Sequence, residues 1–269
     1  MIIRDTIFAD AVAAIDAGDV ARLDSLITQH SHLVADRLQT DEPGYFADPY
    51  LLWFVAENPI RNGTLPANIA DVAMALVDHI DQQGVASRQA QIDYAVMLVA
   101  TGRVPRECGV QIGLIDALVA RGAEPAGLDS TVAHGELEAA RRLIHHGAPV
   151  TLVAAMVLGM ESDIASLLPT SNAAARAEAL VVAANLGLTQ VVARLLAAGT
   201  DPAIRSTSQH RHSTALHQAA LTGDTVLCDL LVAAGASLSE RDDIWNGTPA
   251  GWAEHAGHTG LSARLRSGG

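Results

Sequence analysis

The stretch from Ser213 to Leu265 says nearly the same thing twice, and this repetition limits what the chain can fold into more than any other feature. STALHQAALTGDTVLCDLLVAAGA is followed by GTPAGWAEHAGHTGLSARL, so that Thr214 recurs as Thr248, Ala219 as Ala253, Gly223 as Gly257 and Leu231 as Leu265, each 34 positions on. Self-similarity at this period marks a helix–turn–helix unit that cannot bury its apolar face alone and must stack on copies of itself. With 49% hydrophobic but only 3% aromatic residues, the core has to be built from Ala, Leu, Val and Ile, which suits thin helical layers packed closely.

Thr214-Ala215-Leu216-His217-Gln218-Ala219 and Thr248-Pro249-Ala250-Gly251-Trp252-Ala253 are similar to the motif T-P-L-H-x-A, and the segment resembles ankyrin repeats, of a bacterial type with irregular N-terminal units. The likeness covers most of the chain in pattern and about the last 90 residues in motif. It implies an all-α ankyrin-repeat solenoid of about eight stacked units. It also implies a non-catalytic protein–protein interaction module, which holds a partner protein with its finger loops and concave face. In that family the imidazole at the position of His217 hydrogen-bonds backbone between neighbouring units. The position of Gln218, which Trp252 shares, faces the inner groove.

Apolar spacing predicts helix pairs near 6–30, 48–81, 88–121, 126–146, 149–168, 173–198, 213–234 and 247–266. Gly18-Asp19 separates the first two helices, with glycine closing one and aspartate capping the next. His30 to Asp48, with Pro43-Gly44, reads as a long loop or finger, and Gly102 to Pro105 as a turn. The organisation expected is one array: irregular units over 1–125, short units over 126–206, regular units and a cap over 207–269. No linker rich in Gly, Ser or Pro interrupts it. Proteases should cut at Asp41 to Gly44 and Ser206 to His212.

A formal charge of −13 and the lack of any basic run argue against a nucleic-acid partner and favour a protein partner with a basic surface. All 17 cations are arginine, which we read as codon bias of a GC-rich genome. Cys108 and Cys228 form no C-x-x-C pair, and the longest apolar run, Ala148 to Met160, is too short to span a bilayer. Together with the absence of a signal-peptide pattern after Met1, this points to a cytoplasmic protein.

The candidate residues for chemistry have weaker patterns. His210-x-His212 and His145-His146 lack the companion ligands of a zinc site, so no metal is expected, and nothing calls for a cofactor. No G-x-S-x-G, Walker loop or H-E-x-x-H is present, so no enzyme is expected. The alternative is an enzyme or small-ligand receptor using a cleft around Tyr45 to Pro66. There Trp53 would stand where His217 stands, and Glu57 would be either a carboxylate in an apolar wall or a residue of an exposed helix end. The partner-binding candidates are the two C-terminal fingers, with Arg205, His210, Arg211 and His212 on one and Arg241, Asp242, Asp243 and Trp245 on the other. Arg and Trp are the types that most often dominate binding energy. Trp245 precedes the turn pair Asn246-Gly247, and folding back on Trp252 is its competing role.

Overall fold

The computed structural model describes residues 3–40 and 47–268. All regular elements among them are helical. They fall into the eight expected pairs. In chain order these are α1 (Thr6–Ala17) with α2 (Val20–Gln29); then, after the single turn α3 (His32–Ala35), a 3₁₀ helix (Leu51–Ala56) with α4 (Ile69–Gln82). Next come α5 (Arg88–Ala100) with α7 (Gln111–Ala120), around the short α6 (Arg103–Glu107), and α8 (Leu128–Ala133) with α9 (Leu137–His145). The last four pairs are α10 (Leu152–Leu158) with α11 (Glu161–Thr170), α12 (Ala173–Asn185) with α13 (Thr189–Ala197), α14 (Ala215–Thr222) with α15 (Thr225–Ala233), and α16 (Pro249–His255) with α17 (Thr259–Ser267).

Three local expectations change. The region His30 to Asp48 is not all loop, because Leu33 and Val34 are buried on α3. Of the expected turn Gly102 to Pro105, only Gly102 lies outside a helix, as the N-cap of α6, which begins at Arg103. Leu51–Ala56 is a 3₁₀ helix in which all six side chains are buried, and Glu57 ends it in the left-handed region at φ 53°. The predicted cut at Asp41 to Gly44, and Tyr45, lie outside the described residues.

The chain divides into two compact units, 1–131 with 136–148 and 132–135 with 149–269. In the first, α1 packs on the 3₁₀ helix and the 3₁₀ helix on α5, while α2, α4, α7 and α9 form the outer row. Phe8 meets Phe54 edge to face at 5.7 Å. Trp53 Nε1–H donates to the carbonyl of Gln91 at 3.1 Å, satisfying the one polar group of a buried indole.

In the second unit α10, α12, α14 and α16 form the inner row. Their contact faces are small: Ala154, Ala155, Ala179, Ala183, Ala215, Ala219 and Ala253 are all fully buried, so the helix backbones approach closely with little side chain between them. The composition required this. Cys228 is fully buried on α15, and burial pushes its thiol up to about 12, so it acts as a small apolar residue. Among the described residues no helix is long and apolar enough to cross a membrane.

Turns between paired helices need the left-handed region, and Gly223 shows the requirement most sharply. Its φ is 76°, and a Cβ there would lie 2.6 Å from the ring of His258, which itself reaches the Leu221 carbonyl at 3.2 Å. Gly187, at φ 68°, has open space around the same position. Gly223→Ala should therefore lower stability in urea titration by about 1–2 kcal/mol through backbone strain and further through displacement of His258, while Gly187→Ala loses the strain part alone. Equal losses in the two variants would show that the His258 contact contributes nothing.

Candidate functional site

The two C-terminal fingers are built around a buried aspartate. Asp242 is 3% exposed, and its carboxylate has four donors. Oδ1 accepts the backbone N–H groups of Ile244 at 2.9 Å and Trp245 at 2.7 Å, and Oδ2 accepts the Gly247 N–H at 2.7 Å and the indole N–H of Trp252 at 3.0 Å. Burial alone would favour the neutral acid. The hydrogen bonds from Trp245, Trp252, Ile244 and Gly247 outweigh it and hold the carboxyl well below the usual carboxylate range. An Asx-type turn thus folds 242–247 around a charge, and the turn closes with the Asp242 N–H donating to the Gly247 carbonyl at 2.9 Å.

Arg205 ties the first finger to the second. Its guanidinium donates to Glu240 at 2.8 Å, to the Arg241 carbonyl at 2.5 Å and to the His212 carbonyl at 3.4 Å, and pairs with Asp243 at 2.5 Å. The Asp243 N–H donates in turn to the His212 carbonyl at 2.9 Å. The structure therefore brings Arg205, His212, Asp242, Asp243 and Trp245 together. Arg211 is exposed on the first finger, and Arg241 is exposed with its guanidinium donating to the Asn246 carbonyl at 2.6 Å. His210 is half-buried at φ 51°, and burial, followed by the neighbouring His212 and His134, lowers its pKa.

On this platform stands a cluster of rings. Trp245 is 68% exposed, yet its ring meets Trp252 at 5.7 Å edge to face and His212 at 5.6 Å near perpendicular. Trp252 is buried and also meets His217 at 5.2 Å. Trp245 folds back on Trp252 and remains open to solvent, so the two roles weighed for it coexist. Trp245 and Trp252, with His210, His212, Gln218 and Leu221, border a largely apolar cavity of about 510 Å³.

His217 does what the family likeness implies. Its Nδ1 lies 2.8 Å from Thr214 Oγ1 and 3.3 Å from the Thr214 N–H, and its Nε2 lies 3.2 Å from the carbonyl of Gly247 in the next pair. An Nδ1 that accepts leaves the proton on Nε2, where it donates to Gly247. Burial favours this neutral form by lowering the pKa.

Leu221, His255 and Asn185 also line the cavity, and inspection of the fingers alone misses them. The repeat carries the signal: Gln218 and Trp252 are 34 positions apart, as are Leu221 and His255, while Asn185 precedes Leu221 by the same 36 positions that separate Gly187 from Gly223.

At the alternative site, Glu57 is 1% exposed and is not at an exposed helix end. Its carboxylate accepts the backbone N–H groups of Arg61 at 2.8 Å, Asn62 at 2.6 Å and Gly63 at 3.1 Å, and lies 3.7 Å from the Arg61 guanidinium. Glu57 holds the 61–63 insertion in place. The pair His145-His146 engages Asp116 through His146 at 2.7 Å, and no group of three metal-binding side chains converges among the described residues.

The family model for the ankyrin repeat matches residues 211–243, which take in α14, α15 and the first two residues of the Asp242 turn. The chain thus contains an ankyrin repeat at this place, within an all-helical succession of pairs consistent with an ankyrin-like solenoid. No curated protein matches it as a relative. Ankyrin repeats are generally non-catalytic protein–protein interaction modules, and the matched repeat carries both His217 and the finger that leads into Trp245.

The buried charge makes a directional prediction about acid. Because the folded-state pKa of Asp242 is depressed, its contribution is fully present above the unfolded value, about 3.9, and is lost as pH falls below that toward the folded value. Asp242→Asn, which places an amide group against N–H donors, should lower stability by about 2 kcal/mol or more at pH 7. The gap between variant and wild type should narrow in thermal melts as pH drops below about 4. A gap independent of pH would mean that the charge of Asp242 does not stabilise the finger.

Proposed function

We propose that this protein is a non-catalytic binding module that seats a partner protein on its two C-terminal fingers and the concave wall beside them. The observation that carries this reading is Trp245: a large aromatic side chain, 68% exposed, on a turn whose backbone is fixed by three hydrogen bonds to one carboxylate. An exposed indole on a mobile loop loses entropy when it binds, and one already held by Asp242, His212 and Trp252 loses little. Ile244, 60% exposed beside it, extends the apolar surface. Within this reading Arg205 and Asp242 build the platform, and Trp245, Arg211, His210 and His212, with Arg241 and Asp243 at the rim, meet the partner.

The charge of −13 supports a partner with a basic surface. Two free cysteines, one of them buried, are compatible with a reducing, cytoplasmic location. We read the whole chain as one functional array, since helix pairs follow each other through 6–267. Limited proteolysis should then nick the chain without releasing two halves that separate on gel filtration; two stable, separating fragments would overturn the single array.

The binding reading is tested with a partner captured from source lysate and then purified. Trp245→Ala should weaken its binding by about 2 kcal/mol or more while leaving the melting temperature nearly unchanged. Association should also slow as ionic strength rises. A variant that melts early and still binds at full affinity would place the interface elsewhere, and a salt-independent rate would refute the basic partner.

A further inference from the structure

The ring-walled cavity has a chemistry of its own. At about 510 Å³ it falls within the range of ligand pockets, about 300–1,000 Å³. Its lining consists of Asn, Gln, Gly, Leu, Trp and His side chains, with no carboxylate and no arginine among them. The ion hydrogen-bonded to the ring wall is Asp242, whose Oδ2 sits 3.0 Å from the Trp252 indole nitrogen, while the Arg205 guanidinium reaches the lining only at the His212 carbonyl, 3.4 Å away, with Glu240 and Asp243 as its own counter-ions. A carboxylate that accepts from an indole N–H adds negative potential to a ring whose faces already attract cations. An anionic ligand would be repelled by the same charge. The burial of His210 lowers its pKa and so favours its uncharged form.

The first unit shows how this chain covers such a wall when it uses its own residues. There the Arg37 guanidinium lies 4.5 Å above the Tyr50 ring and 5.2 Å above the Trp53 ring. Among the described residues no arginine stacks on Trp245 or Trp252 in that way.

We propose that the cavity walled by Trp245 and Trp252 is the seat of an arginine side chain from the partner, its guanidinium laid on the indoles with Asp242 behind them. The assignment rests on the partner-binding reading and adds the chemistry of the anchor. Arginine suits the site better than lysine because its planar, weakly hydrated cation stacks on rings, whereas a compact ammonium keeps its water.

The test uses the full chain and three capped tripeptides, Gly-Arg-Gly, Gly-Lys-Gly and Gly-citrulline-Gly, the last matching arginine in shape without its charge. Binding is followed by the three indole N–H signals in nitrogen–proton correlation spectra. The arginine peptide should shift the Trp245 and Trp252 signals saturably and leave Trp53 unmoved, with citrulline at least about tenfold weaker and lysine between them. Trp245→Ala should reduce arginine-peptide affinity about tenfold, and Trp245→Phe should retain part of it. Equal binding of citrulline and arginine, or no shift with any peptide, overturns the proposal. So does tighter binding of a Gly-Leu-Gly or Gly-Phe-Gly control, which would make the cavity a plain apolar pocket. If Trp245→Ala abolishes partner binding while arginine and citrulline bind alike, the arginine assignment alone fails. If the arginine peptide binds but the partner is indifferent to Trp245→Ala, the finger reading fails and the cavity keeps its ligand.

Discussion

A pair of short helices has an apolar face on each side and no means of covering either, so each pair in this chain is stable only against a neighbour. This dependence explains features that look unrelated. Helix faces are alanine-rich because backbones must approach closely on both sides. Turns repeat glycine because each chain reversal passes through the left-handed region. Polar links run from pair to pair, as with His217 and Gly247, because a short pair has few internal hydrogen bonds to hold its register.

The C-terminal fingers solve a different problem. A loop projecting from a helical layer has no apolar core beneath it, so its shape must come from polar contacts. Asp242 supplies them from below, and Arg205 supplies them from the preceding finger by meeting Glu240, Asp243 and two carbonyls. The rings are thus held against one another on a scaffold of charge-assisted hydrogen bonds, which are stronger than neutral ones. An apolar surface is presented to solvent by residues that are not themselves apolar.

The helix pairs were legible in the sequence because packing sets their period, and every pair leaves apolar residues three and four positions apart. The role of His217 was legible because it sits in a motif tied to one geometry. The finger was half legible. Arg241-Asp242-Asp243 reads as a run of solvated charge, and nothing local distinguishes Asp242, which turns inward, from Asp243, which does not. Which of the two readings of Glu57 holds was not legible for a related reason, since the backbone groups it holds belong to the 61–63 insertion, which has no periodicity to announce it. The cavity lining needed the repeat offset applied to every inner helix, because its members lie far apart in sequence and meet only through stacking.

The sharing of Asp242 between the turn and Trp252 also bears on how this repeat can diverge. Gly247 has no room for a side chain, since a Cβ there would meet Asp242 at 3.0 Å and Trp252 at 3.1 Å. Loss of Asp242 strands the Trp252 indole and three backbone N–H groups, and a side chain at 247 would press on both Asp242 and Trp252, so effects at the three positions are coupled and non-additive. Trp245 is held through its backbone N–H, which any residue except proline supplies. Lineages descending from this repeat can therefore exchange the side chain at 245, and with it the partner they hold, in single steps, whereas a change at 242, 247 or 252 disturbs the other two.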